Sequence, residues 1–144
     1  MTSRTHVSVF DESLHCTHDW LRELEDLIGL DNQAQAYSIL REVLHALRDR
    51  LSPDEAADLA SQLPMIIRGF YYEGYQPSRT PTHYRTRQEF YETIRERTLR
   101  VGDVDPAVAV GCVFKMLSHR ISQGEISDIR HVLPEELREM WPRP

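Results

Sequence analysis

The sequence predicts an all-α fold, a single-domain helical bundle of about seven to eight helices. Three observations lead to this prediction. Apolar residues recur every three or four positions along most of the chain, which is the spacing of one helix face. Helix-capping pairs of the form Ser/Thr-x-x-Glu recur as well, and no segment combines β-branched residues with strict alternation over the length of a strand. Since 144 residues suffice for one hydrophobic core, we expect one domain spanning 1–144.

Two amphipathic helices open the chain. The first ends near Gly29, and Asp31 is expected to cap the second. The apolar stripe of the first helix comprises Leu14, Leu21, Leu24 and Ile28. The stripe of the second comprises Tyr37, Leu40, Val43, Leu44, Leu47 and Leu51. We therefore expect the second helix to be long and well buried on one side.

Shorter helices follow. Ser52 and Glu55 form a capping box ahead of a third helix, and Pro64 interrupts that helix or starts another with the sequence MIIRGFYY. Two prolines and a glycine then predict a loop over about 73–86.

The second half of the chain repeats this order of helix-start signals. A Thr-x-x-Glu box at Thr86 starts a helix, Asp105 followed by proline starts the next, a Ser-x-x-Glu box at Ser122 opens another, and Pro134 restarts the chain. The apolar residues expected inside are Phe90, Ile94, Val110, Phe114, Leu117, Ile121 and Trp141.

The chain matches itself at an offset of seventy residues. LSPDEAADLASQLP at 51–64 corresponds to ISQGEISDIRHVLP at 121–134. We expect two pseudo-symmetric repeats, about 19–71 and 89–141, each burying its apolar face against the other. The expected organisation is an N-terminal repeat of about 10–75, a loop of about 73–86 and a C-terminal repeat of about 87–142. Residues shared by both copies are expected to serve packing, and a functional site is expected where the copies differ.

Composition excludes several classes of function. A net charge of -6 and a pI near 5.6 disfavour attraction to a phosphate backbone, so we do not expect nucleic-acid binding. The one alternative is the segment 79–100, where arginines alternate with aromatic residues. Glutamates within one helical turn neutralise these arginines, which favours an exposed helix face instead.

Cysteine usage and hydropathy predict a cytoplasmic protein. Cys16 and Cys112 form no paired motif and are expected to be reduced thiols, and we expect neither a signal peptide nor a membrane span. His15 and His18 lie one helical turn apart beside Cys16, as in half of a zinc site, but no further ligands follow. We therefore expect no metal and no cofactor.

The largest difference between the two copies is MIIRGFYYEGY at 65–75, which corresponds to acidic sequence after residue 134. An arginine beside several tyrosines is typical of an anion-binding, aromatic-stacking or protein-interface surface. The candidate ligand or partner surface comprises Arg68, Tyr71, Tyr72 and Tyr75.

The alternative interpretation of this segment is structural. Ile67, Phe70 and Tyr71 would fill the core between the repeats, and Gly69 would permit close approach of two helices. Whether the segment is core, interface or ligand site stays open at this level.

Other polar residues are expected to have structural or solvated roles. The shared Arg50 and Arg120 are expected to pair with Asp58, Asp128 or a neighbouring helix end. The histidines expected to be solvated are His45, His119 and His131.

Several stretches resemble a known bacterial family. They are VLHALRDRLSPDEAADLASQLPMIIRGFYYEGY, EFYETI and HRISQGEISDIRHVLPEELREMW, within residues 10 to 142. The resemblance is to the domain of unknown function 2267, whose members often carry tryptophan where this chain has Tyr75. It implies a small all-helical prokaryotic protein without an established biochemical role, and it supplies no catalytic residues.

Two classes of function therefore remain. The first is a non-enzymatic binding or assembly module that binds an unknown protein partner or a second copy of itself. The second is a small-ligand receptor or an enzyme with an anion-holding cleft between the two repeats, where Arg68 holds the anion and Tyr71 or Tyr72 orients it. No serine or cysteine has a recognisable base partner. Glu55 and Asp58 could form a catalytic carboxylate pair on one helix face, but a capping role is expected for Glu55. We therefore expect the first class.

Overall fold

A computed structural model describes residues 7–98 and 104–143. Within these residues the chain forms eight α-helices and one 3₁₀ turn, Pro77–Arg79, and it forms no strand. The helices are α1 Ser8–Ile28, α2 Gln33–Arg50, α3 Pro53–Ser61, α4 Met65–Tyr71, α5 Arg87–Thr98, α6 Pro106–Arg120, α7 Gln123–Val132 and α8 Glu135–Arg138. The predicted all-α bundle is confirmed.

Four helices enclose the core. Helix α1 packs on α2 and α6, and α5 packs on the same two helices from the other side. The four short helices cover the ends of this arrangement: α4 lies on α1 and α2, α7 on α6, α8 on α5, and α3 contacts α4 and α7. The largest fully buried side chains include Leu24, Leu40, Leu44, Leu47, Phe90 and Phe114, all predicted as core.

Helix boundaries follow local chemistry. Ser52 and Glu55 make both bonds of the predicted capping box. Helix α1 ends at Gly29, whose φ of 90° is a conformation that glycine adopts without strain. The predicted cap Asp31 is wrong, because the side chain of Asn32 accepts the bond from Gln35 N. Helix α1 also begins at Ser8, ahead of Leu14, the first apolar residue of its predicted stripe.

Helix positions in the two halves correspond at the seventy-residue offset. Helices α3 and α4 begin at residues 53 and 65, and α7 and α8 begin at 123 and 135. Arg68 Nε and Nη2 donate to Ala60 O and Leu63 O, both at 2.8 Å. Arg138 makes the corresponding bonds to the carbonyls of Arg130 and Leu133. A two-fold relation between the halves remains a prediction.

Within the described residues, neither shared arginine pairs with Asp58 or Asp128. Arg50 Nε donates to Tyr84 O at 2.9 Å, in the segment between the halves. Arg120 reaches Glu23 of α1, with Nε at 2.8 Å and Nη2 at 2.6 Å from the same carboxylate oxygen. The expected aspartates lie on α3 and α7, whereas each arginine is at the end of its own helix and meets whichever element packs there. No helix in the described ranges is both long and apolar enough to span a bilayer.

Candidate functional site

The candidate segment forms α4 and the turn after it, and α4 has two different faces. Its inner face carries Ile67, Phe70 and Tyr71, all buried. The outer face, which we call the α4 stripe, consists of Met65, Arg68, Gly69 and Tyr72, and all four are exposed. The spacing of three, four and seven residues keeps these four on one side of a helix. Met65 and Tyr72, at 45% and 37% exposure, make the two ends of the stripe apolar.

The glycine at the centre of the stripe faces outward. A Cβ atom added at Gly69 would meet nothing within 4 Å, and its φ is not positive. The expectation that Gly69 permits close approach between helices within this chain is therefore wrong. Glycine inside a helix lowers stability by about 0.5–1 kcal/mol relative to alanine. Within the described residues, nothing about Gly69 requires glycine.

The beginning of α4 is fixed by α1. Ser13 Oγ, buried on α1, accepts a hydrogen bond from Ile66 N at 3.2 Å. Val9 and Phe10, both exposed, precede Ser13 by four and three residues and so lie on the same side of α1, one turn earlier. Val9 and Phe10 therefore lie on the side of α1 that contacts the beginning of α4.

Two residues of α2 fix the end of α4. His45 Nε2 lies 2.6 Å from Phe70 O. Arg48 Nη1 donates to Tyr71 O at 2.6 Å and to Glu73 O at 2.9 Å. Both side chains are almost fully buried, at 5% and 3% exposure. They bind carbonyl groups that the end of a helix leaves without intrahelical partners.

Arg48 is also the centre of an electrostatic network. Its Nε donates to Asp49 Oδ1 at 2.9 Å, and Arg97 of α5 lies 3.6 Å from the other oxygen of that carboxylate. The guanidinium carbon sits 5.0 Å from the ring centroid of Tyr75, a cation–π distance. Backbone O of Asp49 accepts from Thr82 N at 2.8 Å, which ties the following loop to α2.

His45 was expected to be solvated, and that expectation is wrong. Its burial lowers the pKa of the imidazole, and the nearby positive charge of Arg48 lowers it further. Because the partner is a carbonyl oxygen, the neutral ring must carry its proton on Nε2. The exposed His119 and His131 agree with the expectation.

The four predicted site residues are not equivalent. Arg68 and Tyr72 lie on the stripe, although two nitrogens of Arg68 cap α3. Tyr71 is fully buried and its hydroxyl donates to Ala56 O at 2.8 Å, as the structural interpretation of the segment predicts. Tyr75 is half-buried against Arg48, and its enclosed hydroxyl has no hydrogen-bond partner among the described residues.

Sequence reasoning missed His45 and Arg48. Both stand beside the apolar stripe of α2, which made them look like solvent-facing flanks. Their burial depends on a segment some 25 residues further along the chain. The only sequence signal is their spacing of three, which places two donors on one side of α2.

The hydroxyls of Tyr71 and Tyr84 are both engaged with backbone. Burial raises the pKa of Tyr71 well above its usual range and that of Tyr84 to about 12. The Tyr84 hydroxyl donates to Ala46 O. Groups that stay neutral and bonded to carbonyls stabilise the fold and are poorly suited to proton transfer. No group of three metal-ligating side chains occurs in the part of the chain that the structure describes.

The arginine-rich segment 79–100 is partly described. Arg95 pairs with Glu92 at 2.9 Å, as predicted, while Arg87 reaches Glu139 of α8 at 2.8 Å. Arg100 lies outside the described residues.

Comparison with known proteins gives one family. No curated protein matches the chain. The family described as uncharacterized conserved protein, DUF2267, matches residues 17–140, which include every helix except the beginning of α1. The chain therefore belongs to the DUF2267 family.

Proposed function

We propose that the protein is a non-enzymatic assembly module in which the α4 stripe docks against the α4 stripe of a second copy. The observation that carries this proposal is Gly69, an outward-facing glycine in the middle of a helix. Nothing described within the chain uses the absence of its side chain. A second helix crossing at Gly69 would use it, because a missing Cβ lets two backbones approach closely.

The stripe is complementary to itself. In an antiparallel crossing on a two-fold axis at Gly69, Met65 of one copy faces Tyr72 of the other, and the contact occurs twice. A thioether against an aromatic ring contributes about 0.3–1.5 kcal/mol. Arg68 lies near this axis, but its guanidinium turns back to the α3 carbonyls, so its aliphatic stem faces outward.

The hydrogen bonds that fix α4 to α1 and α2 also support a binding role. Bonds from Ser13, His45 and Arg48 hold the helix at both ends. A surface that is already rigid loses little conformational entropy when it binds. Val9 and Phe10 add exposed apolar side chains on α1, one turn before the Ser13 that bonds to α4.

The alternative, a ligand receptor or enzyme that uses Arg68 and Tyr71, has weaker support. Tyr71 OH and two nitrogens of Arg68 already bind backbone carbonyls. An anion would have to displace these bonds.

The test compares association and folding in the same variants. Gly69→Ala should stabilise folding by about 0.5–1 kcal/mol and weaken association about tenfold or more, measured by sedimentation equilibrium and urea unfolding. Gly124→Ala is the matched control, since Gly124 is another exposed helical glycine with nothing within 4 Å. It should leave association unchanged. Tyr72→Ala should weaken association without destabilising the core.

Two results would reject the proposal. One is a wild-type protein that remains monomeric up to millimolar concentration. The other is a Gly69→Ala variant that associates as tightly as the Gly124→Ala control.

A further inference from the structure

A second concave surface lies between the end of α6, helix α7 and the residues after α8. It consists of two adjoining depressions of about 430 and 300 Å³, which share Gln123, Ile126 and Arg130. We call it the Arg130 cleft. Their volumes lie at the lower end of the range for small-molecule sites.

The charge of the cleft is opposite to that of the chain. Lys115, His119 and Arg143 line the larger depression, His131 and Arg138 line the smaller, and Arg130 lines both. No carboxylate lines either one within the described residues. In a chain with 23 acidic residues against 17 lysines and arginines, the concentration of Lys115, Arg130, Arg138 and Arg143 around this surface is a local feature of the fold.

Some of these basic side chains already have partners. His119 lies 2.5 Å from Glu23, and the Arg138 guanidinium caps α7 through its carbonyls. Lys115, Arg130 and Arg143 form no ion pair with any described residue. These three side chains therefore remain available to a ligand.

Two buried donors lack acceptors, one in the cleft and one in a depression beside it. Arg130 Nε and Trp141 Nε1 have no hydrogen-bond partner within the described chain, although Trp141 is only 3% exposed. Trp141 lines a third depression of about 260 Å³ that again includes Arg130 and Arg143. That depression also contains Glu135 and Glu139, the latter bound to Arg87. This region therefore has donors in excess of acceptors. Each unpaired buried donor costs about 1–3 kcal/mol.

We propose that the Arg130 cleft binds a small anion carrying a diphosphate or longer phosphate chain. A guanidinium presents paired donors that match phosphate oxygens. The two depressions that share Arg130 each contain further basic side chains, Lys115 and Arg143 in the larger and Arg138 in the smaller, which suits a ligand with two linked phosphates. The Trp141 ring is stacked on Phe114 at 4.0 Å with an interplanar angle of 10°, and it is buried. It offers no free face to a nucleobase, so recognition is of the phosphates.

Titration calorimetry and amide spectra with inorganic pyrophosphate test the proposal. The chain has two tryptophans and so two indole N–H signals, which a Trp141→Phe variant assigns. Pyrophosphate should bind, shift the Trp141 signal more than that of Trp20, and bind more weakly as salt is raised. Orthophosphate and citrate should each bind about tenfold more weakly.

Arginine variants identify the residues. Arg130→Gln should weaken pyrophosphate binding about tenfold or more, and Arg143→Gln, whose side chain makes no internal bond, should weaken it severalfold with the fold intact. Arg95→Gln, an exposed arginine paired on α5, is the matched control and should bind normally.

Four outcomes would overturn the proposal. They are no binding at millimolar pyrophosphate, unchanged binding by both cleft variants, citrate binding as tight as pyrophosphate, or tighter binding of single-stranded RNA with the same dependence on Arg130. The last would make the cleft a nucleic-acid site.

Discussion

Replacing Arg48 by methionine tests the anchoring of α4. Methionine keeps the packing of the aliphatic part of the arginine side chain and removes all hydrogen bonds and ion pairs of the guanidinium. Two carbonyl groups then lose their donor, of which Tyr71 O is buried and Glu73 O is partly buried. The Asp49 carboxylate loses its nearest cation, leaving Arg97 at 3.6 Å, and Tyr75 loses its cation–π contact.

The expected loss follows from these contacts. Leaving one buried carbonyl unpaired costs about 1–3 kcal/mol, and breaking a buried charged interaction by removing one partner costs about 3–5 kcal/mol. We expect the free energy of unfolding to fall by about 3–5 kcal/mol. That loss is a large share of the roughly 5–15 kcal/mol typical of a domain. Because it does not exceed this range, the variant should still fold at low temperature.

Urea unfolding followed by circular dichroism measures the global loss, and hydrogen exchange of the amides at 70–75 measures local release of α4. The control is Arg95→Met, an exposed ion pair expected to contribute no more than about 1 kcal/mol. If Arg48→Met loses no more than this control and exchange at 70–75 is unchanged, the anchoring argument is wrong.

Two further predictions concern the same region. The pKa of His45 is lower in the folded than in the unfolded state, so the unfolded chain binds more protons between the folded pKa and about 6.5, and stability rises with pH across that window. The substitution His45→Gln keeps a donor for Phe70 O but does not titrate. The urea midpoints at about pH 5.5 and about pH 7.5 should therefore differ less in the variant than in the wild type. Equal differences in the two proteins would contradict the prediction. Tyr71→Phe should lose about 0.5–1.5 kcal/mol through the bond to Ala56 O, with Tyr72→Phe unchanged as its exposed control; equal stabilities would show that the Tyr71 hydroxyl is not needed.

Local chemistry made most of the fold predictable. A capping box such as Ser52 with Glu55 is complete within four residues, and the apolar stripes of α2 and α6 identify their own buried faces. The segment that forms the candidate site was predictable, but the orientation of its residues was not. Composition identified α4 as unusual, but whether Gly69 points inward or outward depends on how α4 is rotated against α1 and α2. The burial of Arg48 depends on a segment distant in sequence, so the spacing of apolar residues within α2 does not predict it.

Comparing α4 with α8 separates what such a helix needs for folding from what it has in addition. The positions seventy residues after the α4 stripe are Glu135, Arg138, Glu139 and Pro142. Only the arginine is common, and in both places it caps the preceding helix. A helix at this position can therefore cap its neighbour without a methionine, a glycine or a tyrosine on its outer face, and these are the three residues to which we assign association.

The same reasoning applies to the Arg130 cleft. Arg130 occupies the position that corresponds to the buried Ala60, and Lys115 the position that corresponds to His45. Under the predicted repeat, Arg68 and Arg138 are common to both halves, whereas Met65, Gly69 and Tyr72 of the stripe and Lys115, Arg130 and Arg143 of the cleft each occur in one half alone. A packing role common to both halves therefore does not account for either set. Because α4 and the cleft draw on different halves, association and anion binding should respond to different substitutions, and a variant that removes one should leave the other intact.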